Sequence, residues 1–255
     1  MSTLALAETF ACNYNFAEHY KILASQYDKF YEAKSQAKAD FIKKHVAIAR
    51  DDQVIDIGGG TAQISLMLKE DLELTKPVVC VDPSAEMLEV ARKNGAITVQ
   101  ATAEGFLASE PLYPLKVVIF VCCVHHFEDP NTVFTNLAKH MPSDGVCFLL
   151  EYPPETTLPW FKAAEKAFSS IGNRLTEIQA LAECKGFKCR VVTGMEPVEM
   201  EKSLWYEAIR KRSSSALRSF TDEELEEGIR ELEEKFAGSN VLKYDIAHQG
   251  IIMTL

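Results

Sequence analysis

Short apolar segments alternate with amphipathic segments along the first 150 residues of the chain. Buried strands are predicted at residues 54–57, 78–81, 97–101, 117–121 and 146–151. Between them, apolar positions three and four residues apart predict helices at residues 63–70, 85–94 and 131–140. Such alternation is typical of right-handed βαβ units. We therefore predict an α/β fold with a doubly wound, mostly parallel sheet covered by helices on both faces.

The flanking regions have a different pattern. Residues 13–48 carry aromatic side chains at helical spacing and predict an N-terminal helix. Beyond residue 151, helices are predicted at 158–171 and 175–185, and a sixth strand at 187–192. A charged helical region at 202–236 breaks near Phe220, where Thr221 and Glu224 form a capping-box pattern. Residues 241–254 are predicted to form the last strand, or part of one. The predicted sheet therefore has seven strands, with a helical insertion before the last.

Composition narrows the class of protein. The chain has 255 residues and a net charge of −10, which argues against nucleic-acid binding because that requires a basic surface. Its seven cysteines include no CxxC pair, so we expect reduced structural cysteines and no metal site. The first residues lack a signal-peptide pattern, and no apolar run is long enough to span a membrane. We expect a cytoplasmic protein.

The most informative segment joins the first strand to the next helix. It reads Asp56-Ile-Gly58-Gly59-Gly60, and Asp82 stands at the end of the second strand. A glycine turn followed by such an acid is typical of sites for adenosine-bearing cofactors. The glycines do not follow the G-x-G-x-x-G spacing of dinucleotide-binding folds. The carboxylate of Asp56 would also repel a pyrophosphate and would suit a cationic group, which favours S-adenosylmethionine over NAD.

With these motifs, the first 150 residues resemble class I S-adenosylmethionine-dependent methyltransferases of the small-molecule, type 11-like group. The segments similar to that family's motifs occur in order: Asp56-x-Gly58-x-Gly60, Val81–Leu88, Ala101–Glu104, Val121–Pro130 and Asp144-Gly145. Three positions depart from the family pattern. Ala62 replaces a frequent glycine, Thr102 replaces an aspartate that binds the adenine amino group, and Lys116 replaces a frequent acid.

The resemblance implies a cofactor site. Asp82 is expected to accept hydrogen bonds from both ribose hydroxyls, Met87 to lie near the adenine, and Thr102 to accept one hydrogen bond. Aromatic side chains of the N-terminal helix are expected to cover the sulfonium, although ordinary amphipathic packing explains the same spacing. The full expected set is Asp56, Gly58, Gly60, Asp82, Pro83, Met87, Thr102, Ala103, Val121, Tyr27 and Tyr20.

Two histidines are the candidate catalytic residues. His125 and His126 follow the fourth strand, and either ring is placed to take a proton from the acceptor, with His126 preferred. An acceptor that is already deprotonated would need only alignment and desolvation. The candidate substrate residues are Tyr31, Tyr152, Trp160, Trp205, Tyr206 and Arg210. Arg210 would bind a substrate carboxylate, or it would belong to a solvated basic face.

The sequence as a whole predicts one methyltransferase domain over residues 1–255. Its parts are a helical cap at 13–48, a cofactor-binding core at 50–151, substrate-side helices and a lid at 152–240, and the final strand at 241–255. We expect methyl transfer to the O or N atom of a small molecule by a monomer or homodimer. The rival interpretations are a nicotinamide dehydrogenase and a catalytically silent S-adenosylmethionine-binding module or partner subunit.

Overall fold

The computed structural model describes residues 16–153, 155–170 and 174–255, with side chains described from residue 27 onward. A seven-stranded sheet has the strand order β3-β2-β1-β4-β5-β7-β6. β7 is antiparallel to both of its neighbours, and the other neighbouring pairs are parallel. The predicted mostly parallel sheet with an antiparallel last strand is confirmed. Its strands are β1 Val54–Ile57, β2 Val79–Asp82, β3 Ile97–Gln100, β4 Val117–Val121, β5 Val146–Glu151, β6 Lys188–Glu201 and β7 Val241–Thr254.

Helices cover both faces of the sheet. Alternate residues of β4 face opposite ways: Val118 and Phe120 pack against α4, α5 and α7, whereas Val117 and Ile119 pack against α1, α2 and α3. A third apolar cluster joins α6, α8 and α9 to α1 and to the far ends of β6 and β7. The helices are α1 Phe16–His45, α2 Gln63–Asp71, α3 Ala85–Lys93, α4 Ala103–Leu107, α5 Pro130–His140, α6 Lys162–Ser170, α7 Leu175–Cys184, α8 Lys202–Arg210 and α9 Asp222–Lys235.

The largest departure from the predicted elements is β6. The sequence predicted a strand at 187–192, but β6 continues to Glu201 because it pairs with β7 along its whole length. Gly194 and Pro197 lie inside this strand and would ordinarily interrupt it. β6 lies at the edge of the sheet, which is where proline is tolerated in strands, because an N–H that faces away from the sheet has no ladder hydrogen bond to lose.

Several helix boundaries also differ. The helix predicted at 158–171 begins only at Lys162, because residues 158–161 instead insert apolar side chains into the third cluster. The short helix α4 was not predicted, although Thr102 caps it by accepting a hydrogen bond from Gly105 N at 3.1 Å. The predicted capping box of Thr221 and Glu224 is present at the start of α9. In the described part of the chain, no helix has the length and apolar character needed to cross a membrane.

Candidate active site

A cavity of about 590 Å³ opens at the carboxyl ends of β1, β2 and β4, with α1 as one wall. β1 lies between β2 and β4, so the strand order reverses there, and ligands bind at this point in open α/β sheets. Most of the predicted cofactor residues line the cavity: Asp56, Gly58, Gly60, Asp82, Pro83, Met87, Thr102, Ala103, Val121 and Tyr27. The side chain of Tyr20 lies outside the described residues.

The glycine loop brings the backbone close to the cavity. Gly58 has φ +73°, and a Cβ there would lie 2.7 Å from the Cβ of Cys123, so a side chain would collide. Gly60 has φ +56°, and a Cβ there would meet no atom within 4 Å. This open space on the cavity side of Gly60 leaves room for a ligand against the backbone. The loop geometry fits the close approach that a bound cofactor requires.

Backbone amides hold the carboxylate of Asp82 in place. Gly60 N donates to its Oδ2 at 2.9 Å, and Ser84 N donates to its Oδ1 at 2.8 Å. Burial raises the pKa of this carboxyl, and the two backbone hydrogen bonds oppose that rise. Each carboxylate oxygen keeps a second lone pair, because an ionised carboxylate has about four acceptor positions. Asp82 is therefore suited to accept hydrogen bonds from two neighbouring hydroxyls.

Asp56 is buried beneath the glycine loop. Its carboxyl is so close that a Cβ on Gly59 would lie 2.6 Å from its Cγ. Burial raises the pKa of Asp56 to about 7, and the charge of Asp82 acts in the same direction, whereas a hydrogen bond from Ser65 lowers it. A cationic ligand group in the cavity would favour the ionised carboxylate. The donor set therefore fits a ligand that carries both hydroxyls and a positive charge.

α1 is attached to the glycine loop through Asp28. Thr61 Oγ1 donates to Asp28 Oδ1, and Asn94 Nδ2 donates to its Oδ2 at 3.3 Å. On the same helix the rings of Tyr27 and Tyr31 stack with centroids 4.5 Å apart, and both line the cavity. Sequence reasoning missed Asp28 and Thr61, because their pairing joins positions that are distant along the chain.

The two histidines of the segment after β4 line the cavity with ring centroids 4.0 Å apart. Burial lowers the pKa of His126 to about 4, helped by the nearby charges of His125 and Arg218. His125 instead has an acidic partner, because its Nδ1 lies 3.7 Å from Oε1 of Glu151. Glu151 was not among the predicted residues, and its buried Oε1 has no hydrogen bond from any residue that the structure describes. The geometry therefore favours His125 over His126 as a proton acceptor.

A buried lysine forms another part of the cavity wall. Lys38 lines the cavity at 6% exposure, and its Nζ lies 5.2 Å from the ring centroid of Tyr152. Tyr152, a predicted substrate residue, is therefore next to the cavity wall. Lys38 was missed although it shares a helical face with Tyr27, Tyr31 and Ser35, at steps of four, four and three residues.

Among the other predicted substrate residues, Tyr31 lines the cavity, and its hydroxyl donates to Ser213 O at 2.8 Å. The other four do not line the cavity, and their predicted role is corrected here. Trp160, Trp205 and Tyr206 are buried in the third apolar cluster and do not line this cavity. Trp205 Nε1 donates to Pro159 O at 2.9 Å. Arg210 forms a two-pronged ion pair with Glu226, at 2.5 and 2.9 Å, on the surface. Burial of the aromatic rings and this ion pair explain the amphipathic pattern of α8 without a ligand.

Comparison with known proteins agrees with this geometry. A family described as a methyltransferase domain matches residues 54–145. The chain is 29% identical over 119 residues to the ubiquinone/menaquinone biosynthesis C-methyltransferase UbiE of Xanthomonas oryzae pv. oryzae, a match that covers 44% of this chain and 46% of that protein. It is 25% identical over 145 residues to an uncharacterized methyltransferase of Staphylococcus carnosus, covering 53% and 67%. The chain thus spans less than half the length of the UbiE relatives.

Solved structures share the fold over most of the chain. The cyclopropane synthase MmaA2 of Mycobacterium tuberculosis superposes with a TM-score of 0.57 at 15% identity, covering 93% of this chain and 98% of that one. Phosphoethanolamine N-methyltransferase 2 of Haemonchus contortus, solved with S-adenosyl-L-methionine, gives 0.57 at 15% identity, covering 92% and 57%. Taken together, the sheet topology, the glycine-loop site and the family match identify residues 54–145 as the core of a class I S-adenosylmethionine-dependent methyltransferase domain.

Proposed function

We propose that this chain transfers a methyl group from S-adenosylmethionine to an O or N atom of a small molecule. One observation carries the proposal. A single cavity joins the acid-bearing glycine loop to a histidine that has its own carboxylate partner. The first part suits the methyl donor, and the second suits an acceptor that must lose a proton. Neither part requires a nucleic acid, and the net charge of −10 disfavours one.

Different kinds of residue are proposed to bind the different parts of the methyl donor. Asp82 accepts hydrogen bonds from the ribose hydroxyls, and Asp56 neutralises the amino group of the methionine portion. Met87, Pro83 and Ala103 give the adenine an apolar surface. When bound, S-adenosylmethionine supplies a methyl group on a positively charged sulfur, which makes that carbon electrophilic.

Thr102 is proposed to play a smaller part in adenine recognition than the resemblance implies. Its hydroxyl oxygen already accepts the Gly105 amide as the cap of α4. Glu104 lines the cavity nearby, and its Oε1 accepts the amides of Glu128 and Asp129 at 3.0 and 3.2 Å. These bonds fix the segment after β4 against α4, which keeps the adenine end of the cavity in a constant shape.

His125 is proposed as the general base. With its Nδ1 directed at Glu151, the Nε2 atom is left for the acceptor. The acceptor would receive the methyl group as the sulfur–methyl bond of the donor breaks, which leaves S-adenosylhomocysteine. Nε2 of His125 would take the proton that the acceptor loses, and the buried carboxylate of Glu151 would stabilise the resulting imidazolium. Positioned proton transfer of this kind contributes roughly 10²–10⁴-fold to a rate.

The aromatic face of α1 is proposed to cover the reacting groups. Tyr27 and Tyr31 line the cavity, and Tyr31 is fixed by its hydrogen bond to Ser213 O. Aromatic rings attract cations and exclude water, so this wall favours a sulfonium and strengthens the charge interactions inside. Holding the acceptor and donor in one dry cavity converts their encounter into an intramolecular step.

C-methylation is a second candidate, because the matching curated relatives are named C-methyltransferases. The deciding experiment supplies the protein with S-adenosylmethionine carrying a carbon-13 methyl group, together with fractionated metabolites. The chemical shift of the transferred methyl distinguishes O, N and C attachment. O- or N-methyl products support the proposal, and only C-methyl products would replace it. Tight binding of S-adenosylhomocysteine without transfer to any fraction would support the silent binding module.

A further inference from the structure

Charged side chains are unevenly distributed along the cavity. Asp56, Asp82, Glu104 and Glu128 line the end formed by the glycine loop and the adenine-side segments. Lys38 lines the wall formed by α1, beside Tyr152, which directly follows β5. The acidic end is already used by the proposed methyl donor. The positive charge of Lys38 is therefore suited to a ligand group other than the donor's sulfonium, ribose and adenine.

Among the residues that the structure describes, Lys38 has no carboxylate at ion-pair distance, although it is 6% exposed. The nearby imidazole of His248 is neutral at ordinary pH, since burial and the charge of Lys38 lower its pKa to about 3. A buried ammonium without a counter-charge is costly. A ligand anion in the cavity would remove this cost.

A second lysine lies behind the first. Lys34 is buried, with its Nζ 4.1 Å from the ring centroid of Tyr31 and 4.4 Å from that of Trp205. Its pKa is lowered well below the usual value by burial and by the charge of Lys38. No ion pair with a described carboxylate involves it either. Burial and the charge of Lys38 favour the neutral amine of Lys34, and Lys34 does not line the cavity, so Lys38 is the lysine that presents a charge to a ligand there.

We propose that Lys38 binds a carboxylate of the methyl acceptor, so that the acceptor is a small, monoanionic acid. This inference rests on the proposed function, because it assigns the acceptor part of the same cavity. A single lysine lines the wall there among the described residues, which matches one negative charge and leaves a phosphate dianion undercompensated. The adjacent rings of Tyr31 and Tyr152 favour an acceptor with an apolar body.

The methyl donor also has a carboxylate, so the first measurement separates the two sources. Calorimetry compares S-adenosylhomocysteine with 5′-methylthioadenosine, which lacks the amino-acid portion, on the parent protein and on Lys38→Met. We expect both affinities to change less than twofold in the variant. A tenfold loss confined to S-adenosylhomocysteine would assign Lys38 to the donor's carboxylate and overturn the proposal.

The second measurement uses matched acids and carboxamides, namely salicylate with salicylamide and anthranilate with anthranilamide. Each is titrated into protein saturated with S-adenosylhomocysteine, so no methyl transfer is needed. We expect at least one acid to bind tenfold more tightly than its amide. Lys38→Met should abolish this preference, and Lys38→Arg should keep part of it. Lys29→Met is the control, since Lys29 lies on the same helix with 64% of its side chain exposed.

The outcomes separate the two proposals. Equal binding of every acid and amide, or a preference that survives in Lys38→Met, would overturn the acceptor assignment while leaving the methyltransferase proposal intact. Failure of the parent protein to bind S-adenosylhomocysteine at all would instead count against the proposed function, and with it this inference. Retained circular dichroism and an unchanged unfolding midpoint would show that a loss in Lys38→Met is not misfolding.

Discussion

Asp56 and Asp82 face the same glycine loop, but their surroundings give them different capacities. Asp82 is oriented by two backbone amides, whereas Asp56 is buried under Gly59. A carboxylate fixed by amides is a good hydrogen-bond acceptor for hydroxyls. A carboxylate held mainly in an apolar environment depends on a cation for its charge. Two residues of one type can therefore recognise two different parts of one cofactor.

The role of Asp82 is testable by binding. Asp82→Ala removes the proposed ribose acceptor and frees the Gly60 amide, so we expect the affinity for S-adenosylhomocysteine to fall at least tenfold, about 1.4 kcal/mol. Calorimetry gives the affinity. Asp144→Ala is a suitable control, because Asp144 is an exposed acid that pairs with Lys116 far from the cavity. Unchanged affinity in Asp82→Ala would remove Asp82 from the cofactor site.

The raised pKa of Asp56 predicts a pH dependence of stability. Since its pKa is about 7 in the folded protein and near 3.8 otherwise, the folded state keeps a proton that the unfolded state loses. Stability therefore falls as pH rises between these values, by up to about 4 kcal/mol at about 1.4 kcal/mol per pKa unit. Asp56→Asn lacks this effect. We expect the unfolding temperature of Asp56→Asn, relative to that of the ligand-free parent, to increase from about pH 4 to about pH 8. A difference between the two proteins that does not change with pH would contradict the raised pKa of Asp56.

The two histidines should differ in their effect on turnover. His125→Gln removes the residue paired with Glu151, and we expect kcat to fall by roughly 10²–10⁴-fold while cofactor affinity stays within about twofold. His126→Gln should reduce kcat less, because burial makes this imidazole a weak base. Steady-state kinetics with an identified acceptor measures both. Equal losses in the two variants, or full activity of His125→Gln, would exclude His125 as the base.

At the scale of elements, α9 packs closely against the segment before α6 because position 228 in α9 is a glycine. Gly228 lies inside α9, and a Cβ there would lie 2.5 to 2.6 Å from ring atoms of Phe161. Phe161 is fully buried, so its ring has little space into which to move. The glycine therefore permits close packing of helix and ring in a cluster that also includes α1 and α8.

Gly228→Ala tests which of two opposing effects prevails. Alanine favours a helix over glycine by about 1 kcal/mol. Overpacking against a buried ring typically costs about 1–3 kcal/mol. Because the contact is with ring carbons at collision distance, we expect net destabilisation of about 1–2 kcal/mol in urea unfolding. Glu227→Ala, at an exposed position of the same helix, should change stability little. A stabilised Gly228→Ala protein would show that Phe161 yields easily.

At the scale of the whole molecule, the cavity depends on segments from distant parts of the chain. The glycine loop, the segment after β4 and α1 form its walls, and α1 is attached to the loop through Asp28 and Thr61. A ligand that touches all of these walls stabilises the assembled state only, since the unfolded chain has no such cavity.

We therefore expect a large shift in unfolding temperature with S-adenosylhomocysteine. At a ligand concentration 100 times the Kd, the stabilisation is about 2.7 kcal/mol. NAD should give no shift, because the glycine spacing and the carboxylate of Asp56 disfavour a pyrophosphate. Differential scanning fluorimetry measures both. A shift with NAD alone would favour the dehydrogenase interpretation, and Asp82→Ala, with weakened cofactor binding, should reduce the shift with S-adenosylhomocysteine.

The sequence by itself determined the sheet and the glycine-loop end of the cavity. β1, β4 and β5 have the bounds that the sequence predicted, and Asp56, Gly58, Gly60 and Asp82 form local motifs. These features depend on neighbours within a few residues, because burial pattern and turn geometry are local properties. The full length of β6 was not predictable, since long-range pairing with β7 overrides its internal glycine and proline.

Only the tertiary structure decided which distant side chains share the cavity. Spacing within α8 made Trp205 and Arg210 attractive as substrate residues, yet one is in the core and the other pairs with Glu226. Lys38 and Glu151 had no motif: Lys38 lines the cavity from α1, beside Tyr152, and Glu151 lies at the end of β5, beside His125. Amphipathic spacing shows which face of a helix is buried, but it does not show which other element packs against that face. The acceptor end of the cavity depends on such contacts between distant segments.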